Sequence, residues 1–236
     1  MVKTLELDRT KTWICEGSPE ISSQCYFSVE FWRMHNKITG NARGRGITWF
    51  IQLESNQAAL RHYYRGGLIG KLFSDCYLFS SWESTRPYRE LTLLHYLKQK
   101  GVRVPTPIAA QARREHCFYR ADILTEKVPD AQNLISFLRK GTLGGHNVCR
   151  KVGKEIRKMH DAQVNHADLN LNNILVDDQD QIWIIDFDGC SVSVGEEFKT
   201  ANLARLQRSF KKGKEKQKIH WESDYFNLIS KSYRED

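Results

Sequence analysis

Apolar positions follow two different periods along the chain, and the change falls near its middle. Four short apolar runs in the first half predict strands: Ile47–Leu53, Ala58–Tyr63, Ile108–Ala112 and Cys117–Leu124. We expect them to belong to a five-stranded antiparallel sheet. One helix should accompany that sheet, because a hydroxyl and a proline in 84–87 are typical of a helix start and Gly101 of its end.

The second half shows the period of a helix. Within Asn147–His160 the apolar positions Val148, Val152, Ile156 and Met159 recur on one face. A shorter helix is predicted over Asn133–Arg139. The two halves together predict an α+β fold with an N-terminal lobe (1–124), a hinge (125–130) and a mostly helical C-terminal lobe (131–236).

Two short strands in the second half are joined by a polar turn. Ile174–Val176 and Ile182–Ile185 flank the turn and predict a hairpin. Asp168 and Asn173 precede the first strand, and Asp186 follows the second. We therefore expect two carboxylates and one amide to converge on a small volume.

Such a volume suits phosphoryl transfer, because Mg²⁺ takes oxygen ligands from carboxylates and phosphates. The run from His166 matches H-x-D-x-x-x-x-N followed by D-F-x, the catalytic-loop and metal-loop pair of protein kinases. Each of these side chains could by itself be a turn or helix-capping residue. That alternative does not explain why they occur together at the spacing of the kinase motifs. The third position of the second motif is Asp188 instead of glycine, and it remains open whether Asp188 is a second metal group or a cap.

A second candidate group lies in the first half. Gly44 and Gly46 precede a predicted strand and would let backbone amides approach phosphates, although the third glycine of a kinase glycine-rich loop is missing. Arg61 stands where kinases carry a phosphate-holding lysine, with Lys71 as the alternative. Glu90 lies in an inward-facing helical stripe and is expected to pair with Arg61. The simpler alternatives are an edge-strand arginine and a glutamate that faces water.

Composition narrows the class of protein. The 236 residues are 40% hydrophobic and 27% charged, as in soluble globular proteins. No apolar run is long enough to span a bilayer, and Met1–Lys11 lacks the apolar core of a signal peptide. The six cysteines contain no C-x-x-C pair, which favours reduced thiols in the cytosol over disulfides or a zinc site.

The net charge of +8 suggests an acidic partner. Basic residues concentrate between Arg205 and Lys218, with Phe210 and Trp221 among and beside them. We expect a peripheral contact with an anionic membrane surface, where the aromatic rings would lie at the headgroup level. Nucleic acid would bind the same charge but is not expected, and a solvated helix is the plain alternative.

The substrate is not expected to be a peptide. No Ala-Pro-Glu motif and no proline follows Gly189, so the platform that protein kinases use for peptides is missing. A kinase of a sugar, or of a sugar on a carrier, fits better.

The chain resembles the 3-deoxy-D-manno-octulosonic acid (Kdo) kinases of the lipopolysaccharide core kinase group. The resemblance extends from about Gly44 to the C-terminus. It is carried by four segments: 61–68 (Arg-His-Tyr-Tyr-Arg-Gly-Gly-Leu), Arg86–Leu97, 119–122 (Tyr-Arg-Ala-Asp) and His166–Gly189. The first of them is the most specific to Kdo kinases, whereas the last is shared across kinases.

The resemblance implies a bilobal protein-kinase-like fold and transfer of the ATP γ-phosphate, with Mg²⁺, to the 4-hydroxyl of Kdo on a lipid A precursor. It implies a Gram-negative bacterium and the cytoplasmic face of the inner membrane. By matching position, Asp168 is the base, Asn173 and Asp186 hold metal, and Arg61 holds phosphates. Two alternatives stay open: a kinase of a heptose or aminoglycoside-like acceptor, and an inactive nucleotide-binding module at the membrane.

Overall fold

The chain divides into two compact units, which are described separately. The computed structural model describes residues 2–18, 24–44, 46–65, 74–141, 144–217 and 224–235. The first unit comprises Met1–Thr92 and Thr106–Lys127, and the second comprises Leu93–Pro105 and Val128–Asp236. Each unit is thus built from two separate stretches of chain.

An antiparallel sheet forms the body of the first unit. Within the described residues it has eight strands: β1 (Val2–Leu7), β2 (Thr10–Cys15), β3 (Ile38–Arg43), β4 (Ile47–Gln52), β5 (Gln57–His62), β6 (Tyr77–Leu78), β7 (Pro107–Glu115) and β8 (Phe118–Glu126). Their order is β1-β2-β7-β8-β5-β4-β3, and β6 pairs with β8. The central strand β8 therefore borders β7 on one side and β5 and β6 on the other.

The prediction of five strands is wrong in number, although all four predicted apolar runs are strands. The strands without a predicted range are β1, β2, β3 and β6. Strand β1 leaves five of its six residues exposed, so no buried alternation marks it in the sequence. Strand β3 contains Gly40 and Asn41, residues that are depleted in strands.

In the described part of the first unit, two α-helices occur or begin, where one was predicted. Helix α1 (Val29–Met34) follows a 3₁₀ turn, and the side chain of Ser28 caps it by accepting a hydrogen bond from the amide of Phe31. Trp32 of α1 is 2% exposed and packs into the core formed by the central strands. Helix α2 (Arg86–Gln99) has the predicted range, and its first turns belong to this unit.

The second unit is mostly helical, as predicted. Its further helices are α3 (Leu134–Arg139), α4 (Gly145–Asp161), α5 (Glu197–Gln217) and α6 (Tyr225–Arg234). Its short strands are β9 (Gln132–Asn133), β10 (Val164–Asn165), β11 (Ile174–Val176), β12 (Ile182–Ile184) and β13 (Ser191–Val192). Strands β12, β11 and β9 form one small sheet, and β10 pairs with β13.

Helix α4 is the central support of the second unit. Its predicted stripe is confirmed, since Val148, Val152, Ile156 and Met159 are fully buried. An adjoining face of α4 approaches α6 so closely that a Cβ at Gly153 would collide with Ser232. Glycine at this position therefore allows α6 to pack directly against the backbone of α4.

In the parts of the chain for which coordinates are described, no helix combines the length and apolar character needed to cross a bilayer.

Candidate active site

The loop between β10 and β11 is folded on itself by side-chain amides. Asn173 Nδ2 donates to the carbonyl oxygen of Asp168 at 2.9 Å, and Asn170 Nδ2 donates to the same oxygen at 3.0 Å. The amide of Asn173 in turn donates to the carbonyl of Asn170 at 3.0 Å. These bonds hold the backbone of Asp168 beside the side chain of Asn173, five positions later.

The predicted hairpin brings Asp186 to the same loop. Strands β11 and β12 pair with Ile174 opposite Ile184, and the amide of Ile185 donates to the carbonyl of Asn173 at 3.0 Å. Asp186 follows at once with a φ of +64°, a left-handed conformation that turns the chain sharply at this residue. The structure thus brings together the loop segments of Asp168, Asn173 and Asp186.

His166 fixes the two halves of this arrangement to each other. Its ring is fully buried, Nε2 donates to the carbonyl of Ile185 at 3.0 Å, and Nδ1 accepts from the amide of Asp168 at 3.2 Å. Burial lowers the pKa of His166, although the carboxylates of Asp186 and Asp168 act in the opposite direction. The ring is therefore a neutral brace between the catalytic loop and the metal loop.

Phe187 completes the brace on its apolar side. Its ring is 1% exposed and lies 4.9 Å from the ring of His166. The phenylalanine of the second motif is thus a core residue, and it anchors the chain directly after Asp186.

Sequence reasoning missed a buried network behind the loop. Asn202 of α5 is 1% exposed, and its Oδ1 accepts from the amide of His166 at 3.0 Å. The same oxygen lies 3.3 Å from Nε2 of His160, and Nδ1 of His160 lies 2.9 Å from the hydroxyl of Tyr233. Helices α4, α5 and α6 are thereby connected to the catalytic loop through hydrogen bonds.

His160 is neutral in this network. Burial lowers its pKa to about 4, far below the ordinary value of 6.5. Because Oδ1 of Asn202 is an acceptor, Nε2 of His160 carries the proton and Nδ1 accepts from Tyr233. No local sequence pattern reveals this set, since its members lie on three helices far apart in the chain.

Two further residues of α5 also hold this loop. Arg205 donates to the carbonyls of His166 and Ala167, and Ser209 Oγ accepts from the amide of Leu171 at 3.1 Å. Arg205 was predicted as part of a basic membrane-facing cluster, and its contacts instead assign it to support of the loop.

The donor set is suited to Mg²⁺. The Nδ2 group of Asn173 is engaged with Asp168, so the side-chain Oδ1 of Asn173 can face a cation. Asp186 adds carboxylate oxygens, which Mg²⁺ also accepts as ligands. Among the described residues, no group of three or more His, Cys, Asp or Glu side chains has the spacing of a metal site. A cation here would therefore depend on phosphate oxygens as well, which is how proteins usually bind Mg²⁺.

The predicted ion pair of the first unit is present. Nη2 of Arg61 on β5 lies 2.6 and 2.7 Å from the two carboxylate oxygens of Glu90 on α2. The hydroxyl of Tyr63 donates to the same carboxylate at 2.7 Å, and the Arg61 guanidinium lies 4.7 Å from the centre of the Tyr63 ring. Glu90 is only 4% exposed, so it does not face water.

The predicted glycine turn is the connection between β3 and β4. The amide of Gly44 donates to the carbonyl of Gly46 at 2.8 Å. A Cβ at Gly46 would collide with the ring of Tyr64, which gives this glycine a packing reason of its own. Arg45 and Lys71 lie outside the described residues.

The basic stretch of α5 is only partly as predicted. Phe210 is fully buried and lies 6.2 Å from the ring of Phe226, so its predicted place among membrane headgroups is wrong. Among the α5 side chains that the structure describes, four basic ones are exposed: Arg208, Lys211, Lys212 and Lys214. Lys218 and Trp221 lie outside the described residues.

Comparison with known proteins identifies the family of the chain. Residues 29–231 match the family model described as "Lipopolysaccharide kinase (Kdo/WaaP) family". A 3-deoxy-D-manno-octulosonic acid kinase of Vibrio cholerae is 49% identical over 237 residues, with 100% of both chains covered. Another of Vibrio parahaemolyticus is 50% identical over 220 residues, covering 93% of this chain and 92% of the relative. A third, of Photobacterium profundum, is 43% identical over 232 residues and 98% of both chains.

The fold also has a solved counterpart. The structure described as "WaaP in complex with acyl carrier protein" matches with a TM-score of 0.57 and 14% identity, covering 85% of this chain and 80% of that one. The predicted fold class, α+β and protein-kinase-like, is thereby confirmed. The chain belongs to the lipopolysaccharide kinase (Kdo/WaaP) family, and it is a phosphotransferase that acts on a hydroxyl group in lipopolysaccharide core biosynthesis.

Proposed function

We propose that this kinase transfers the γ-phosphate of ATP to the 4-hydroxyl of Kdo on a lipid A precursor, with Mg²⁺ as the cofactor. The acceptor is suggested by the names of relatives that are nearly half identical over the whole chain. The observation that carries the chemistry is the hydrogen bond from the Asn173 side chain to the backbone of Asp168. This bond holds the amide of Asn173 next to the residue that carries the Asp168 carboxylate, and phosphoryl transfer uses both kinds of group.

Asp168 is proposed as the catalytic base. Its carboxylate would orient the acceptor hydroxyl and accept its proton as the bond to phosphorus forms. The rigid backbone supports this role, because His166 and Asn173 both bind main-chain atoms of Asp168. Positioning of the hydroxyl is expected to supply most of the rate gain.

Asn173 and Asp186 are proposed to hold Mg²⁺ through their side-chain oxygens. When bound, the cation supplies positive charge against the phosphate oxygens. In the first unit, Arg61 is proposed to contact the phosphates of ATP while Glu90 and Tyr63 keep its guanidinium in place. Gly44 and Gly46 are proposed to leave room for phosphates beside the β3–β4 turn.

The test of the proposed reaction is mass spectrometry of the acceptor. Kdo-lipid A precursor is incubated with the protein, ATP and Mg²⁺, and one added phosphate is expected on the Kdo sugar. Fragmentation that places the phosphate on the 4-hydroxyl would support the full proposal. Transfer to a heptose-containing acceptor but not to Kdo-lipid A precursor would show that the proposed substrate is wrong. Absence of any ATP consumption would reject the catalytic assignment.

We also propose that the protein binds peripherally to the cytoplasmic face of the inner membrane through α5. The four exposed basic residues of α5 would each contribute about 1 kcal/mol near an anionic surface. Changing Arg208, Lys211, Lys212 and Lys214 together to Gln should reduce cosedimentation with phosphatidylglycerol vesicles. The matched control changes four exposed basic residues elsewhere in the second unit, Arg139, Lys140, Arg150 and Lys154. Equal losses in the two variants would contradict a specific role of α5.

A further inference from the structure

Two arginines lie against a single tyrosine ring in the first unit, and the proposed catalysis does not use either of them. Tyr77 on β6 is 3% exposed. The guanidinium carbons of Arg65 and Arg86 lie 4.9 and 4.6 Å from the centre of its ring. Each cation is attracted to the ring, and two positive side chains at one ring make its surroundings favourable for an anion.

The backbone holds both arginines in place independently of any ligand. The amide of Arg65 donates to the carbonyl of Ser74 at 2.6 Å, and the amide of Arg86 donates to the hydroxyl of Tyr119 at 3.0 Å. Tyr119 is the strand partner of Tyr77. The ring and both arginines therefore form one preorganised group, which lowers the entropy that a ligand must lose.

Arg65 also has an unused donor. Its Nε atom is buried and has no hydrogen-bond partner among the residues that the structure describes. A buried donor without an acceptor is costly. Asp75, the acid nearest to Tyr77 in the sequence, is occupied by Arg120 Nε at 2.8 Å and lies 3.4 Å from Nε2 of His62. An incoming oxyanion would supply the missing acceptor.

Arg86 stands at the first position of α2, where a positive side chain is electrostatically unfavourable. The N-terminus of a helix carries partial positive charge and prefers anions, and the first turn of α2 contains no acidic residue. The fourteen-residue helix thus adds to the positive potential of the two guanidinium groups.

We propose that Arg65 and Arg86, held on the ring of Tyr77, bind an oxyanion of the acceptor. This inference rests on the proposed function, because the proposed acceptor carries a carboxylate on its sugar acid and phosphates on its lipid A part. Guanidinium groups bind both kinds of oxyanion through paired hydrogen bonds. The role of the site is to select and orient an acidic acceptor.

The first test is steady-state kinetics of the full chain. Arg65→Gln and Arg86→Gln should each raise the KM for the acceptor about tenfold or more and leave the KM for ATP unchanged. Arg114→Gln is the matched control, because this exposed guanidinium lies 4.4 Å from the Phe79 ring and should change neither constant. A rise confined to the KM for ATP would assign the site to the nucleotide, and that result or unchanged constants would overturn the proposal.

Modified acceptors separate the two sources of oxyanion. One arm uses an acceptor whose Kdo carboxylate is a methyl ester, and the other uses an acceptor without lipid A phosphates. If the site binds one of these groups, the acceptor that lacks that group should have a higher KM with the wild-type protein. With that acceptor, the KM of Arg65→Gln should then equal the KM of the wild type. If that difference persists with both modified acceptors, no acceptor oxyanion binds at this site.

A measurement without substrate keeps this inference separate from the proposed function. At equal ionic strength, sodium sulfate should raise the melting temperature of the wild-type protein more than sodium chloride does, and Arg65→Gln should lose this difference. Arg65→Lys, which keeps the charge but lacks the planar fork, should retain part of it. Failure of the wild type to phosphorylate Kdo-lipid A would reject the proposed function, whereas an equal sulfate effect in wild type and Arg65→Gln would reject the anion site.

Discussion

The catalytic loop of the second unit and the Arg61–Glu90 pair of the first unit are both held by buried contacts, but of opposite kinds. The loop is fixed at its buried side by hydrogen bonds of two neutral side chains, His166 and Asn202, to which Arg205 adds bonds at the carbonyls. Arg61 is fixed by a full negative charge on Glu90, which is 4% exposed. Neutral networks hold geometry with little sensitivity to salt, whereas a buried charge requires its partner to remain in place.

This contrast gives the two regions different expected responses to mutation. A change in the neutral network should loosen the loop without leaving a buried charge behind. Removal of either partner of the ion pair should leave the other charge poorly compensated, with a larger cost in stability. The predictions below compare the two regions, beginning with the largest expected effect.

Replacing Asp168, the proposed base, should affect activity far more than stability. Asp168→Asn is expected to lower kcat by about 10²–10⁴-fold, because the amide cannot accept the proton of the hydroxyl. Stability should change little, since two hydrogen bonds that hold this residue involve its backbone atoms and are kept in the variant. Turnover and thermal melting are measured in parallel, with Asp178→Asn in the exposed hairpin turn as the control. Turnover of Asp168→Asn at the wild-type rate would remove Asp168 from the mechanism.

Neutralising Glu90 should affect both activity and stability. Glu90→Gln is expected to lower the free energy of unfolding by about 1–3 kcal/mol, less than for a fully buried pair because Arg61 is 26% exposed. Activity should also fall, because the guanidinium loses the charge that holds it. Chemical denaturation and steady-state kinetics measure the two effects.

The double variant Arg61→Gln/Glu90→Gln distinguishes the roles of the pair. Removing both charges should restore part of the lost stability but none of the activity, if Arg61 contacts phosphates. Recovery of wild-type activity in the double variant would show that the pair is purely structural.

The local sequence pattern was sufficient to predict the elements that carry the candidate catalytic side chains. The hairpin of β11 and β12 follows from two apolar triplets around a polar turn, and the structure has it in that register. The pairing of Glu90 with Arg61 follows from the cost of a buried carboxylate on an inward helical face. Both inferences needed only residues close in sequence or a single charge requirement.

Contacts between distant segments were beyond the sequence. Asn202 looks like any polar residue of α5, and only the packing of helices places its amide behind His166, thirty-six positions earlier. Phe210 was misassigned because basic neighbours conceal a side chain that the fold buries completely. Strand β1 was missed because its exposed side chains give no alternation. In each case the tertiary fold determines which residues lie next to each other, and no local sequence pattern reports this.

Removing the side chain behind the loop tests the neutral network. Asn202→Ala should lower kcat about tenfold and reduce stability by about 1–3 kcal/mol, because the amide of His166 loses its acceptor. The KM for ATP should change little. Asn202→Asp keeps the acceptor for His166 but buries a carboxylate and loses the donor to Asn165, so it should restore part of kcat and little of the stability. The exposed Gln207→Ala on the same helix should have no effect. Equal kcat in the Ala and Asp variants would mean that this bond does not position the loop.

Acid should weaken the neutral network of the second unit. The folded state protonates His160 only below about pH 4, whereas the unfolded state does so below about pH 6.5. The unfolded state therefore binds more protons as the pH falls from about 7 to 5, which should cost about 1–2 kcal/mol of stability. His160→Gln should flatten the pH dependence of chemical denaturation by this amount. An unchanged slope in the variant would indicate that His160 is not held neutral by burial.

The contribution of His62 in the first unit to stability should change with pH in the opposite direction, and by the smallest amount. Burial alone would lower the pKa of His62, but its hydrogen bond to Asp122 at 2.7 Å and the charges of Asp122 and Asp75 outweigh burial and raise it. The folded state therefore holds this proton more tightly than the unfolded state, so the stabilisation is complete below about pH 6.5 and is lost as the pH rises through the raised pKa. For a partly exposed pair the change is about 0–1 kcal/mol.

The stability difference between wild type and His62→Gln should accordingly shrink from about pH 6 to pH 9, and Asp122→Asn should show the same trend. A difference that grows with pH would assign His62 to the neutral class of His160. Burial would then keep the histidines of both units unprotonated. The proposed contrast between a neutral network in the second unit and charged pairs in the first unit would not hold for these histidines.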